Sequence, residues 1–435
     1  MTLTPIGRPE ASPLAPTDAE TEPLSDEPSM LAPRPGRDRR LLVGVGLMVA
    51  SALWLVVACG PRGDSVDTYV GLTMSQEELS EFVERRMGEL EIPGLSLAVI
   101  NNGEVVHSEH FGHADVERNV PVTDETIFEA GSLSKSVFAQ FVMTFVEAGE
   151  LDLDRPLFEY LPHPDVSQPD LAEQITARMV LSHTAGFPNW RDDPDGSLPI
   201  AFEPGTAFEY SGEGYQYLAL VLLEITGTDW HGLESLFNDR IAEPLGLDRM
   251  TFVPSDVVVS DKAAPYDEDG IKIDWRSDPR AVADLDIFIA PASLHADTTD
   301  FTRWMIGVMH GEVLREESYE ELFTRHSSTP SEELGLSYTL GFYEPHIPFT
   351  DIFGHGGNNH GFTSFFMLDP VDDWGFVVLT NSEFGDEFGE ELFIRLFAGP
   401  SIPRIVVTVI SVVVLTLSFL VVGARLLRRR PIEHT

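Results

Sequence analysis

Two apolar runs near opposite ends, Leu41 to Ala58 and Ile405 to Val422, limit where this chain can build a globular core. Each is long enough to cross the hydrocarbon layer of a bilayer. A water-facing fold must therefore form from the segment between them, roughly 330 residues, enough for one large core or two closely packed lobes. Arg37, Arg39 and Arg40 precede the first run, and Arg425, Arg428, Arg429 and Arg430 follow the second. Cations on the outer side of both runs put both chain ends in the cytoplasm and the middle outside. The expected layout has a disordered segment at 1–40, rich in proline, threonine and acidic residues, then a transmembrane helix at 41–59. A domain at 68–398, a second transmembrane helix at 402–424 and a basic cytoplasmic tail at 425–435 follow.

The first run has a second reading. Val56-Val-Ala-Cys59 resembles a lipobox, and Arg39-Arg40-Leu-Leu-Val resembles a twin-arginine export signal. Translation from Met30 would shorten the leading segment to a signal-peptide n-region, with Cys59 lipidated after cleavage. Otherwise Cys59 ends a retained helix. Both readings keep the domain at the cell membrane, facing out of the cytoplasm. Cys59 is the single cysteine, so one chain can form no disulfide.

Within the middle segment, Leu95 to Ile100 and Val105 to Phe111 read as strands joined at Asn101-Asn-Gly103. Thr363 to Leu368 and Trp374 to Thr380 read as a second hairpin, turned at Pro370 to Asp373. Helical patterning dominates between them. The expected fold is α/β (α+β): one antiparallel sheet built from both ends of the catalytic region, flanked by helices, with a helical lobe inserted and a site between lobe and sheet.

The strongest chemical signal is Ser132-Leu-Ser-Lys135. Serine is a poor nucleophile until a base takes its proton, and an amine one helical turn away can do so. The chain has three lysines, Lys135, Lys262 and Lys272, which makes a chance pairing uncommon. Gly131 turns the chain just ahead, and Val137 onward is an apolar helix closed by Gly149. Ser132 thus falls at a buried helix start, where unpaired N–H groups favour an oxyanion. Further on, Tyr210-Ser211-Gly212 leads into an apolar helix from Tyr217 to Ile225, and Gly354-His355-Gly356-Gly357-Asn358 precedes the Phe362 to Leu368 strand.

These three segments, in this order, resemble the Ser-x-x-Lys, Tyr-x-Asn and Lys/His-x-Gly motifs of the serine β-lactamase and penicillin-binding protein superfamily, nearest its class C and esterase-like branch. The likeness extends over about residues 70 to 398 and includes Leu181-Ser-His-Thr-Ala-Gly-Phe187, Pro204-Gly-Thr206, Pro244-Leu-Gly-Leu247 and Val377-Val-Leu-Thr-Asn381. The resemblance implies a β-lactamase/transpeptidase-like fold in which Ser132 is the nucleophile, Lys135 its proton acceptor and Tyr210 the second member of a proton relay. The backbone N–H groups of Ser132 and Asn358 would form the oxyanion hole, with His355 and Gly357 lining the substrate cleft.

Two departures from those motifs bear on the substrate. Gly212 stands where the superfamily usually has asparagine, so an amide that would contact an acylamide substrate is missing. His355 and Gly356 stand where penicillin-recognising members often have lysine and threonine, and a histidine is mostly neutral at pH 7. Both fit an esterase, or a peptidase or amidase of unusual specificity, better than a dedicated β-lactamase. The alternative is a catalytically silent sensor that binds an envelope peptide.

Other candidates read as structural. His183 fits a loop-fixing hydrogen bond. Ser211 either points into the cleft or caps the following helix. His107, His110 and His113 recur at spacing three on an early strand without a carboxylate or cysteine set, so no metal is expected, nor any cofactor. The formal charge of −43 opposes nucleic-acid binding and fits a salt-rich setting or an acidic exported domain. The expected partners are a small-molecule or peptide substrate and the membrane.

Overall fold

The computed structural model describes residues 65–191, 196–274, 286–329 and 335–399. The 1–40 segment, the two apolar runs, Cys59 and the basic tail lie outside the described residues. Among the described residues no helix is long and apolar enough to cross a membrane.

The chain opens with a two-stranded ribbon, β1 (Ser65–Asp67) and β2 (Thr73–Ser75). Helix α1 (Gln76–Glu89) begins at a capping box in which the Ser75 side chain accepts from Glu78 N–H and the Glu78 side chain accepts from Ser75 N–H. β3 (Gly94–Asn101) and β4 (Glu104–Asp115) form the first expected hairpin. Its two-residue loop, Asn102-Gly103, has positive φ at both positions (52° and 73°), the conformation that matches the twist of the flanking strands. After β5 (Val120–Pro121) and β6 (Phe128–Glu129), helix α2 (Ser134–Glu147) is buried on nearly every side and forms the centre of the larger core.

The helical middle contains α3 (Gly212–Thr226), α4 (Trp230–Phe237), α5 (Thr298–Met309) and α6 (Glu316–Phe323), with β7 (His295–Ala296) paired to β6. The chain then returns through β8 (Ser327–Ser328), β9 (Leu336–Tyr338), β10 (Tyr343–Pro345), β11 (Phe353–Asn359), β12 (Phe362–Asp369) and β13 (Trp374–Thr380) before α7 (Gly385–Ala398).

The main sheet has nine antiparallel strands in the order β5-β4-β3-β13-β12-β11-β10-β9-β8. β3 pairs directly with β13, Val99 opposite Phe376, so the two hairpins from opposite ends of the domain share one sheet, as expected. Alternate residues of β3 enter different cores. Ala98 and Ile100 join α2 and the helical lobe, whereas Leu95, Leu97 and Val99 pack with α1 and α7.

Two boundaries differ from the sequence expectation. α2 starts at Ser134, and Ser132 sits in the single 3₁₀ turn Gly131–Leu133 that leads into it. α3 starts at Gly212 rather than Tyr217: Ser211 caps it there, and the low helix propensity of Gly212 and Gly214 hides the first turn from an apolar-periodicity reading.

Candidate active site

Gly131 has φ +52°, and a Cβ on it would approach Asn358 N to 2.8 Å. A Cβ on Gly357 would meet Ala130 O and Ser364 Oγ at 2.3 Å. Glycine at both positions lets β11 lie directly against the segment carrying Ser132. Ser364 Oγ donates to Ala130 O at 2.7 Å and closes the contact from the next strand. Gly357 therefore acts through close backbone packing, while Asn358 N is brought beside the Ser132 turn.

Lys135 is 1% exposed, with Nζ 3.0 Å from Ser132 Oγ and 3.0 Å from Pro291 O. No carboxylate pairs with it among the described residues. Burial without a counter-charge pulls its pKa down to about 7. A neutral amine can donate one N–H to Pro291 O and still offer its lone pair to the Ser132 hydroxyl. The Tyr210 ring lies 4.7 Å from Nζ. Burial raises the Tyr210 pKa, the Ser132 hydroxyl opposes the shift and Tyr343 adds to it; the net direction is well upward, so the phenol stays protonated. These opposite shifts separate the two roles: Lys135 is suited to accept a proton and Tyr210 to donate one.

His183 and His355 enclose this pair from behind. His183 has φ +58°, its Nδ1 accepts from Ser211 N–H at 3.1 Å, and its ring packs at a tilt against Tyr210 and Tyr338, with centroids 4.3 and 4.6 Å apart. It provides the loop-fixing bond the sequence implied. His355 departs from expectation. Its side chain is buried, so it does not line an open cleft. Nδ1 faces Gly356 O at 2.6 Å and must carry the ring proton; Nε2 then accepts from Tyr338 OH at 3.0 Å. Burial and the nearby Lys135 charge lower its pKa to about 3, with the Gly356 carbonyl opposing. His355 is a neutral packing group and cannot present a cation to a substrate carboxylate.

Ser211 resolves to one of its two readings. Its hydroxyl donates to Pro188 O at 2.8 Å and accepts from Gly214 N–H at 2.9 Å, so it caps α3 instead of reaching substrate. Beside it, Gly212 N–H lies 3.0 Å from both the backbone O and the Oδ1 of Asn189. A Cβ on Gly212 would come within 2.8 Å of Asn189 O and 3.2 Å of the Trp190 ring. The place left by the absent asparagine is thus closed by Asn189 and Trp190, both exposed, from a different loop. Since Gly212 N–H is a donor, Asn189 must turn Oδ1 toward it and its NH₂ away.

A second group missed in the sequence lies behind the Ser132 segment. Glu129, Lys262, Asn359 and His295 are all buried. Lys262 Nζ bonds Glu129 Oε1; Asn359 Nδ2 donates to Glu129 Oε2 at 2.6 Å and to Ala292 O at 3.1 Å. Asn359 follows Asn358, and Ala292 follows the Pro291 carbonyl that receives Lys135. Glu129 and Asn359 therefore tie together the three strands of chain that hold the nucleophile, the Asn358 amide and the base. Of the early histidines, His107 is buried and His110 Nδ1 pairs with Ser96 Oγ at 2.7 Å. Spacing three along a strand sends neighbours to opposite faces. Among the described residues, no group of three histidine, cysteine or acidic side chains is placed to hold a metal.

The fold and this arrangement define a serine-hydrolase scaffold of the β-lactamase and penicillin-binding protein kind. The family model described as Beta-lactamase matches residues 79–399, and the chain belongs to that family. Among curated relatives, it is similar to Protein flp of Staphylococcus aureus strain MW2, 23% identical over 340 residues. That match covers 73% of this chain and 66% of the relative, so the chain spans just under two thirds of the relative's length. The structure is similar to that of an octameric penicillin-binding protein homologue from Pyrococcus abyssi, with a TM-score of 0.63 and 25% identity over 74% of this chain and 77% of that one. EstCE1, a hydrolase with promiscuous acyltransferase activity, shares the fold with a TM-score of 0.59 and 21% identity, covering 74% of this chain and 94% of that one.

Proposed function

We propose that this protein is a membrane-anchored, outward-facing serine hydrolase that works through an acyl-Ser132 ester, acting on esters or peptide-like amides in preference to β-lactams. The observation carrying the reading is the buried, carboxylate-free amine of Lys135 at 3.0 Å from Ser132 Oγ. In acylation, the Ser132 proton passes to neutral Lys135 as Oγ bonds to the substrate carbonyl carbon. The oxyanion meets the N–H groups of Ser132 and Asn358. Collapse breaks the bond to the leaving group, which takes a proton from Tyr210, and Lys135 returns one to the phenol. Water then attacks the ester and the acid leaves, regenerating Ser132.

Two features favour ester over β-lactam substrates. His355 is neutral and enclosed, so its position supplies no charge to a carboxylate. The wall beside Tyr210 is built from Asn189 and Trp190, which offers an amide donor and an aromatic surface. The test is a comparison on purified full-length protein. A fluorescent phosphonate should label wild type and fail on Ser132→Ala, and p-nitrophenyl butyrate should give a higher kcat/KM than nitrocefin or a D-alanyl-D-alanine peptide. Labelling that survives Ser132→Ala would refute the nucleophile and favour the silent-sensor reading. A higher kcat/KM for nitrocefin would refute the ester preference alone.

A further inference from the structure

The two ends of the described domain leave it side by side. Tyr69 N–H donates to Leu396 O at 3.0 Å and Val70 N–H to Phe397 O at 3.1 Å. The Tyr69 ring stacks on Phe397 with centroids 5.0 Å apart. A Cβ on Gly399 would lie 3.7 Å from Thr68 Cγ2. Ser65 precedes Thr68 by three residues, so at no more than ~3.6 Å per residue it lies within about 20 Å of Gly399. Little chain remains between these exits and the apolar runs. Cys59 to Asp64 separate the first run from β1, and Pro400 to Arg404 separate the second from Gly399. Fully extended, either tether spans at most ~22 Å.

We propose that this corner, the β1–β2 turn with the last turn of α7, is the membrane-proximal surface of the domain, seated on a lipid bilayer. The inference rests on the membrane-anchored reading above and adds an orientation to it. One tether would let the domain swing about a point. Two tethers shorter than the domain is wide, rooted in the same corner, fix which face meets the lipid. The result does not depend on the fate of the first run, because a lipidated Cys59 is tied to the same Ser65 exit as a retained helix. Val70 and Ile394, 49% and 54% exposed, are apolar residues at this corner. Ile394 lies one turn before Phe397 on the same side of α7. Asp372 bonds Tyr69 OH at 3.1 Å nearby and opposes deep insertion, so the tethers hold the seat.

The orientation also sets the height of the cleft. The β12–β13 turn is joined to this corner through Asp369, which accepts from Tyr69 OH at 2.7 Å. β12 runs from there back to Thr363, which pairs with Asn358. Six residues of strand separate the two, about 20 Å. The nucleophile therefore opens at the end of the sheet turned away from the lipid, toward substrates that approach from outside.

The experiment uses full-length protein carrying Cys59→Ala, reconstituted in phosphatidylcholine vesicles with nitroxide-labelled headgroups. One fluorophore is placed on Ile394→Cys or Val70→Cys, and for comparison on Val116→Cys, at the opposite end of β4. Carbonate extraction reports anchoring, and phosphonate labelling reports folding. In protein that resists extraction, the Ile394 and Val70 probes should lose most of their fluorescence and the Val116 probe should keep it. Equal quenching, or stronger quenching at Val116, would overturn the orientation while leaving anchoring intact. Release by carbonate would overturn the anchored reading and this inference with it.

Discussion

Lys135 and Lys262 are both buried, and both are joined to the segment that carries Ser132, yet their surroundings differ in one respect. Lys262 meets the buried carboxylate of Glu129, whereas the Lys135 amine hydrogen-bonds a hydroxyl and a carbonyl and faces the Tyr210 ring, with no carboxylate beside it among the described residues. Burial tends to raise the Glu129 pKa, but the Lys262 charge and the bonds from Lys262 and Asn359 outweigh it and hold the carboxyl below its ordinary value. That pair is a fixed brace. At Lys135 nothing offsets burial, and the pKa falls to about 7, where the amine can act as a base. The third lysine, Lys272, pairs with Asp115 at 2.7 Å near the surface, and its pKa rises. The presence of a carboxylate partner and the exposure of the lysine side chain, 2% for Lys262 and 27% for Lys272, thus sort three identical residues into a candidate base, a buried brace and a half-exposed ion pair.

The largest expected effect comes from removing the base. Lys135→Met should lower turnover of p-nitrophenyl butyrate by about 10²- to 10⁴-fold. It should also raise stability, because an uncompensated buried amine is replaced by an apolar chain of similar length. A shift from 10.5 to about 7 corresponds to about 5 kcal/mol, an upper bound on that gain. An inactive variant that melts lower than wild type would show that the amine is stabilised by more than the Ser132 hydroxyl and the Pro291 carbonyl.

Lys262→Met should behave in the opposite way. It leaves Glu129 buried without its cation, at a cost of about 3–5 kcal/mol. The loss should appear as a lower denaturation midpoint, with whatever protein remains folded still labelled by phosphonate. The double change Glu129→Gln with Lys262→Met should recover much of the stability, since no lone charge is left. Equal midpoints for the single and double variants would break the contrast between brace and base.

The difference between the two lysines was not legible in the sequence, although the motifs around Lys135 were. Ser132 and Lys135 are three residues apart, and the Asn102-Gly103 turn dictates its own hairpin; both signals are local. Glu129, Lys262 and Asn359 meet across 133 and 230 residues of chain, and no spacing rule reports such a contact. The partner of Lys135 is a backbone carbonyl, at Pro291, which side-chain identity cannot reveal. His355 was misjudged because its strand, Phe353-Gly-His-Gly-Gly-Asn-Asn359, is too rich in glycine to show which face is buried. The filling of the Gly212 space by Asn189 was hidden for the same reason as the brace, since it joins two loops through a backbone N–H.

The pH dependence sharpens the comparison further. With Lys135 as the proposed proton acceptor, the acylation rate should rise with pH along a limb centred near 7 and level off above it. The linked stability effect has a definite sign. The native amine binds its proton less tightly than the unfolded one, so between about pH 7 and the ordinary lysine pKa the unfolded chain holds more protons. Stability therefore rises with pH across that window, and Lys135→Met should flatten this contribution. Phosphonate labelling rates and urea midpoints measured from pH 5 to 10 would check both. A rate already at its plateau at pH 5 would mean that Lys135 is not the proton acceptor.

The smallest effect is expected where the two lysine sites touch. Asn359 donates to Glu129 on one side and to Ala292 O on the other, next to the carbonyl that receives Lys135. Asn359→Ala keeps the Glu129 and Lys262 charges together but cuts that link. Stability should fall by about 1.5–3 kcal/mol, the range for a hydrogen bond to a charged group. Turnover should fall by about tenfold, as a misplaced base loses part of its alignment. A merely structural role would lower the midpoint and leave the pH profile in place. If Asn359 positions the Pro291 carbonyl, the limb near pH 7 should move as well, because the amine loses a fixed acceptor. An unchanged limb with a reduced midpoint would confine Asn359 to the brace and make the two lysine sites independent.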